Sequence, residues 1–241
     1  MQKKYEIIVR PLNRSQAREY CLLHGHAPAL PNSSKYYFGA YINGKHIGLA
    51  VWGWGITPKK TVNKLFGIQD TRIYLELNRY FLIPNTPPYA ESKFLSLTHK
   101  ILWKFLPKLQ FLFTYAAGFQ GMIGIIYKAC SYDYIGKQIT NSYHNIPGVG
   151  MVHDIAIYHR YGEHSHAKFK KNFPTAVRIS GYNFVYIKFR DKATKKQLMK
   201  SATFEIQPYP TVNEIKVWDE NGKEYTVQEA RDLKAISLKS K

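Results

Sequence analysis

Two runs rich in hydrophobic positions, 36–42 (YYFGAYI) and 45–52 (KHIGLAVW), flank Asn43-Gly44. An Asn-Gly pair adopts the positive φ angles of a type I′ turn at little cost, so the pattern predicts a β-hairpin. Residues 73–82 (IYLELNRYFL) keep enough of the two-residue period to predict another strand. Pro84, Pro87 and Pro88 then break any ladder, because proline has no N–H to donate, and a loop is expected. From Glu91 the period changes. Phe94, Leu95, Leu97, Ile101, Leu102 and Phe105 recur at helical spacing until Pro107, which predicts a helix with one face on a sheet.

The run FLFTY at 111–115 suits a buried strand, and it leads through Gly118, Gly121 and Gly124 into the helical stretch MIGIIYKAC. Short strands are predicted at 132–136 and 182–190, and Asn221-Gly222 joins two more ahead of a helix from about Gln228. The order of hairpin, strand, helix, strand, helix, strand predicts an α/β protein: a mixed central sheet flanked by helices, with a C-terminal α+β extension. Residues 1–180 read as the main domain and 181–241 as a strand-rich extension of the same body.

Composition narrows the class. Of 241 residues, 45% are hydrophobic and 15% aromatic, enough to bury a core, which excludes disorder for the bulk of the chain. Cys21 and Cys130 cannot build a disulfide framework, no apolar run approaches the roughly 18 residues of a membrane span, and MQKKYEIIVR lacks a signal-peptide core. A soluble cytoplasmic protein with no membrane partner is expected. The formal charge of +19 attracts polyanions. Between residues 160 and 200, eleven Lys and Arg face only Glu163 and Asp191. Among them Arg160, Lys168, Lys170, Lys171, Lys188 and Arg190, interleaved with aromatics able to stack on bases, are the expected nucleic-acid contacts.

Neither a GxGxxG fingerprint nor a Walker A loop is present. Gly118, Gly121 and Gly124 either let backbone N–H groups face an anion or allow tight strand-to-helix packing. Ser92, near the start of the predicted helix, either caps it or donates to a ligand phosphate. Cys21, His24 and His26 form a Cys-x-x-His-x-His group with metal-ligand chemistry but no matching second pair. His153 and Asp154 are adjacent, which points their side chains apart in a strand, and no nucleophilic triad is readable.

The segment LELNRYFLIPNTPPYAESKFLS (75–96), followed by FTYAAGFQGMIGIIYKACSYDYIG (113–136), resembles the Mom family of phage DNA-modification proteins. The residues in question are Arg79 on the strand, Glu91 and Ser92 at the helix start, and Gln120, Gly121, Gly124, Tyr127, Ala129, Tyr134 and Gly136 beyond, with weaker likeness at RYG (160–162) and PYP (208–210). The resemblance implies a GNAT-like sheet and an enzyme that replaces a hydrogen on N6 of adenine in double-stranded DNA with a methylcarbamoyl group, protecting phage DNA from restriction in the host cytoplasm. It also implies acetyl-CoA or a related acyl-CoA as small-molecule donor, held by Arg79, Ser92, Gln120, Gly121 and Gly124. Tyr127, Ser92 and Glu91 are the implied catalytic residues, with Tyr127 able to protonate a leaving group.

Two positions depart from the family pattern: Ala117 stands where an Asp is usual and Met122 where a His is usual. The acid–base carboxylate is therefore to be sought at Glu76, Glu91 or Asp133. A methylcarbamoyl group joins nitrogen through a CH2 carbon, so plain acyl transfer from a thioester gives a different linkage. A further donor or step is required, with iron held partly by His24 or His26 as one answer. The alternatives are a GNAT-like acyltransferase for another amine and a non-catalytic basic DNA-binding protein. On the leading reading the Arg79 strand, the Ser92 helix and the Gln120–Tyr127 turn converge on one pocket.

Overall fold

The computed structural model describes residues 5–24, 30–147, 150–154, 157, 166–226, 228, 229 and 232, the first three residues of the 166–226 segment by backbone only. In chain order its elements are β1 Ile8–Leu12, α1 Arg14–His24, β2 Ser34–Ile42, β3 Lys45–Gly53, α2 Pro58–Phe66, β4 Tyr74–Leu82, α3 Ala90–Phe105, β5 Phe111–Ala117, α4 Ile125–Ala129, β6 Asp133–Ile146, β7 Gly150–His153, α5 His166–Asn172, β8 Val177–Phe189, α6 Lys192–Leu198, β9 Val217–Asp219 and β10 Glu224–Tyr225. This is the mixed α/β class that the periodicity predicts. The chain divides into two compact units. One comprises Met1–Thr114, Ile125–Ile135 and Tyr186–Gln207, the other Tyr115–Gly124, Gly136–Val185 and Pro208–Lys241.

In the first unit β1, β2, β3, β4 and β5 lie side by side in that order, antiparallel except for the parallel pair β4–β5. The predicted hairpin is β2–β3, and Asn43 (φ 50°) and Gly44 (φ 77°) supply the positive angles its turn needs. Val51 pairs with Arg79 and Trp52 with Leu77, so Asn78 is the extra residue of a β-bulge in β4. The pairing of β4 with β5 covers only Tyr74–Glu76 against Phe111–Phe113, although β4 runs on to Leu82. Strand β4 thus leaves its parallel ladder just before the bulge.

Helix α1 packs Ala17, Tyr20 and Cys21 on Tyr37, Leu49 and Val51 of this sheet, and α2, α3 and α6 belong to the same unit. Helix α2 starts with proline, whose missing N–H costs nothing there, and ends at Gly67 in the left-handed conformation. It buries Val62, Leu65 and Phe66, and the Phe66 ring meets Phe111, Phe189 and Phe204 with centroids 5.1, 6.3 and 5.5 Å away. Helix α3 buries Phe94, Leu95, Thr98, His99 and Leu102, each large apolar side chain contributing about 2 kcal/mol. Its C-terminal carbonyls are capped from afar: the Arg190 guanidinium donates to Pro107, Trp103 and Leu106 at 2.6, 2.8 and 2.8 Å. Helix α6 begins where Asp191 accepts the Thr194 N–H.

The second unit pairs β6 with β7 and β8 with β9, which in turn pairs with β10, all antiparallel. One apolar cluster gathers Phe119, Met151, Ile179 and Val217, another Ile146, Ile157, Phe169 and Ala176. The helix expected over MIGIIYKAC is only α4, because Gly121 and Gly124 sit at φ 79° and 73° ahead of it. Strands β6 and β8 are longer than predicted, and the helix from Gln228 falls largely outside the described residues. Elements β1, α1, α2, β7, α5 and α6 were not among those predicted.

Candidate active site

The start of α3 is built by the proline loop. Tyr89 takes φ 64° to turn the chain, the Ala90 N–H bonds to Pro87 and the Ser92 hydroxyl donates to the Tyr89 carbonyl at 3.2 Å. Ser92 therefore ties the first turn, and it also lines a cleft of about 490 Å³ with Lys93, Ser96, Lys100 and Ala129 on one side and Tyr5, Glu6 and Ile7 on the other. Lys93 and Lys100 bring two ammonium groups to this cleft and Glu6 one carboxylate, while the Ser92 and Ser96 hydroxyls donate to the Tyr89 carbonyl and to Cys130. Glu91 is exposed, and its carbonyl accepts the Tyr80 hydroxyl.

Behind this cleft lies a largely buried polar layer. Cys130 donates its thiol to the Ser92 carbonyl at 3.4 Å and receives the Ser96 hydroxyl at 3.5 Å. Burial pushes that thiol up, which keeps it protonated. Tyr127 is buried, with its ring 5.4 Å from Tyr132 and 5.1 Å from Tyr186. Burial raises its phenol above the ordinary range while a hydrogen bond with Thr114 opposes the rise, so the group holds its proton. The Tyr132 hydroxyl meets His99 Nε2 at 2.9 Å, and burial, aided by the Lys188 charge, lowers His99 to about 3 and leaves the ring neutral. Lys188 donates to the Cys130 carbonyl at 2.7 Å, and burial lowers its own pKa.

Arg79 is half-buried and donates to the Asn78 carbonyl at 2.7 Å, so it braces the bulge. Its charge acts on Cys21 of α1, whereas the next residue, Tyr80, stacks on Phe94 of α3. Arg79 thus belongs to the α1 side of the sheet and Ser92 and Tyr127 to the α3 side. Glu76 is the last β4 residue paired with β5. Burial alone raises its carboxyl from 4.5 to about 7. Gly55, in the loop before α2, makes this possible: a Cβ there would lie 2.5 Å from Glu76 Oε2.

Other expected site residues are distributed as follows. Gln120, Gly121 and Gly124 belong to the second unit. Arg160 and His26 lie outside the described residues, and of Lys168 only the backbone is described. Lys170 pairs with Glu220 and Lys171 is exposed. Lys188 and Arg190, expected on nucleic acid, give their donors to carbonyls of the first unit. His24 is exposed at the end of α1, its ring against Tyr20, and Cys21 is buried in an apolar cluster. Among the described residues no group of three or more His, Cys, Asp and Glu can hold a metal, and no helix is long and apolar enough to cross a membrane. Sequence reasoning missed one pair: His144 meets Asp154 at 3.0 Å, with Arg178 3.6 Å from the same carboxylate. Burial opposes that charge, yet the His144 bond and the His144 and Arg178 charges hold the carboxyl below its usual range.

Comparison with known proteins matches a model of the Mom protein family to residues 6–211. A curated relative, the methylcarbamoylase Mom of Escherichia phage Mu, is 26% identical over 180 residues, covering 74% of this chain and 73% of the relative. Among solved structures, an aminoglycoside acetyltransferase in complex with coenzyme A is similar at a TM-score of 0.45 and 10% identity, covering 80% of this chain and 99% of that one. A ribosomal-protein-S5-alanine acetyltransferase from Vibrio fischeri is similar at 0.44 and 12%, covering 78% and 96%.

Proposed function

The chain belongs to the Mom protein family, and from that premise we propose that it transfers a methylcarbamoyl-type group to N6 of adenine in double-stranded DNA, shielding the DNA from restriction enzymes. The observation that carries this reading is the likeness to the phage Mu methylcarbamoylase over 180 residues. The first unit carries a carboxyl raised toward neutrality, Glu76, and a protonated phenol, Tyr127, on opposite faces of the sheet.

Adenine N6 is a weak nucleophile whose lone pair is drawn into the ring, and in a duplex it is stacked and paired, so the base is turned out before it reacts. As N6 bonds to the CH2 carbon of the incoming group, that carbon releases its leaving group with the bonding pair, and one N6–H bond breaks with its proton passing to Glu76. Of the three carboxylates that sequence offers, Asp133 is held by Lys195 at 2.8 Å and Glu91 is exposed, whereas Glu76 is half-buried and raised to about 7, where a general base works best at neutral pH. Tyr127 keeps its proton at Oη on the α3 side of the sheet, behind the Ser92 cleft.

Lys93 and Lys100 would hold the phosphates of an acetyl-CoA or related acyl-CoA donor, which would supply a two-carbon unit when bound but no leaving group on its methyl carbon. A methylcarbamoyl product requires that carbon to arrive as a methylene. The test is mass spectrometry of nucleosides from DNA of cells making the protein. A modified deoxyadenosine is expected, and its absence with soluble protein present overturns the proposal. Tyr127→Phe is expected to lower the yield about 100-fold with DNA affinity retained.

A further inference from the structure

Ile56 is 91% exposed, the highest value among the exposed large hydrophobics of the described residues. It follows Gly55, against which the Glu76 carboxylate packs, and precedes α2. An aliphatic side chain left in water at the rim of a half-buried carboxyl contributes nothing to the core.

The helices beside it are charged against their own stability. Lys59 and Lys60 are exposed in the first turn of α2, and Lys192 opens α6; neither helix has an acidic residue in its first turn. Cations there oppose the helix dipole. Lys60 and Lys64, and Lys192 and Lys196, are also like-charged pairs four residues apart, which repel on one helix face; Lys200 extends the second stripe beyond the helix end. None of these six lysines makes an ion pair among the described residues. Of the nearby carboxylates Asp191 caps α6, Asp133 holds Lys195 and Asp70 holds Arg72, while Glu205 is a single exposed carboxylate against these six lysines. The chain just beyond Lys200 is tied to the end of α2, where Thr203 donates its N–H to the Leu65 carbonyl at 3.1 Å and its hydroxyl to the Lys64 carbonyl.

We propose that α2, the loop ahead of it and α6 form the face on which duplex DNA docks, with these lysines on its phosphates and Ile56 presented to its base stack. This rests on the DNA-modification reading and adds where the substrate sits. Unpaired cations at helix starts match the phosphate backbone, whose neutralisation supplies affinity. An exposed aliphatic residue is a known means of parting stacked bases, and here it stands beside the carboxyl assigned to accept the N6 proton.

The test measures binding of the full chain to a duplex against salt concentration. Lys192→Ala, Lys196→Ala and Lys200→Ala together are expected to reduce the slope of log affinity against log salt by roughly 0.9 per lysine, and to weaken binding at least about tenfold at physiological salt. The corresponding three Lys→Arg changes are expected to preserve both, and Lys45→Ala, at the β2–β3 turn, serves as a control for an exposed lysine elsewhere. Thermal unfolding of each variant confirms folding, which the exposure of these side chains favours. Ile56→Ala is expected to leave the slope intact but to reduce the fluorescence gained by 2-aminopurine in a duplex that the wild-type chain modifies, with Ile56→Leu restoring it. An unchanged slope in the triple alanine variant, while the wild-type chain binds DNA, overturns this face and leaves the function standing. Failure of the wild-type chain to bind any duplex at low salt overturns both. Loss of binding to phosphatidylserine vesicles with DNA binding intact overturns DNA as the occupant.

Discussion

Glu76 shows how a single burial sets both a stability cost and a catalytic property. Its carboxyl is raised from 4.5 to about 7 by burial, so between those values the native chain binds a proton that the unfolded chain has released. Stability therefore falls as pH rises through that window, by an amount on the order of 3 kcal/mol once the group is fully ionised. Glu76→Gln keeps the shape without the charge. It is expected to match the wild type in thermal unfolding near pH 4, to exceed it increasingly toward pH 8, and to lose DNA modification; equal melting temperatures at pH 8 would refute the assignment. Wild-type activity is expected to rise through about pH 7 as the base ionises. The sequence offered Glu76 only as one of three acids, because what buries it is Gly55, a residue twenty-one positions earlier with no chemical signature. The family pattern singled out Arg79, Ser92 and Tyr127 together, whereas Arg79 lies on the α1 side of the sheet and the other two on the α3 side. The partners of Lys188 and Arg190 were not, since a backbone carbonyl leaves no trace in composition.

At the scale of elements, Arg190 ties the strand after which it stands to the end of α3. Its three hydrogen bonds reach the last carbonyls of that helix and its exit loop, groups that have no partner within the helix. Arg190→Ala is expected to destabilise the chain by about 2–3 kcal/mol, read as a lower melting temperature, while the salt slope of DNA binding stays unchanged; a lost slope with unchanged stability would return Arg190 to the nucleic acid. Elements with strong local signals were readable: Asn43-Gly44 for the hairpin, prolines on both sides of α3. Helix α2 was passed over because only Val62, Leu65 and Phe66 of its nine residues are apolar anchors, too few to outweigh its lysines. Strand β6 was cut short because residues 137–139 are exposed, so half its length lacks the alternation that burial on one face imposes.

At the scale of the whole molecule, the charge of +19 is not one uniform field, because its cations differ in what they already neutralise. In the second unit Lys170 and Lys171 are adjacent on α5, but Lys170 is paired with Glu220 and Lys171 is exposed. An ammonium already facing a carboxylate displaces few counterions when a phosphate arrives, whereas a solvated one releases its share in full. If both units touch DNA, Lys171→Ala is expected to reduce the salt slope by roughly 0.9 and Lys170→Ala by clearly less, and Glu220→Gln is expected to restore Lys170 to the full effect. Equal slopes for Lys171→Ala and the wild type would exclude α5 from the phosphate contacts, while leaving those of α2 and α6 in place.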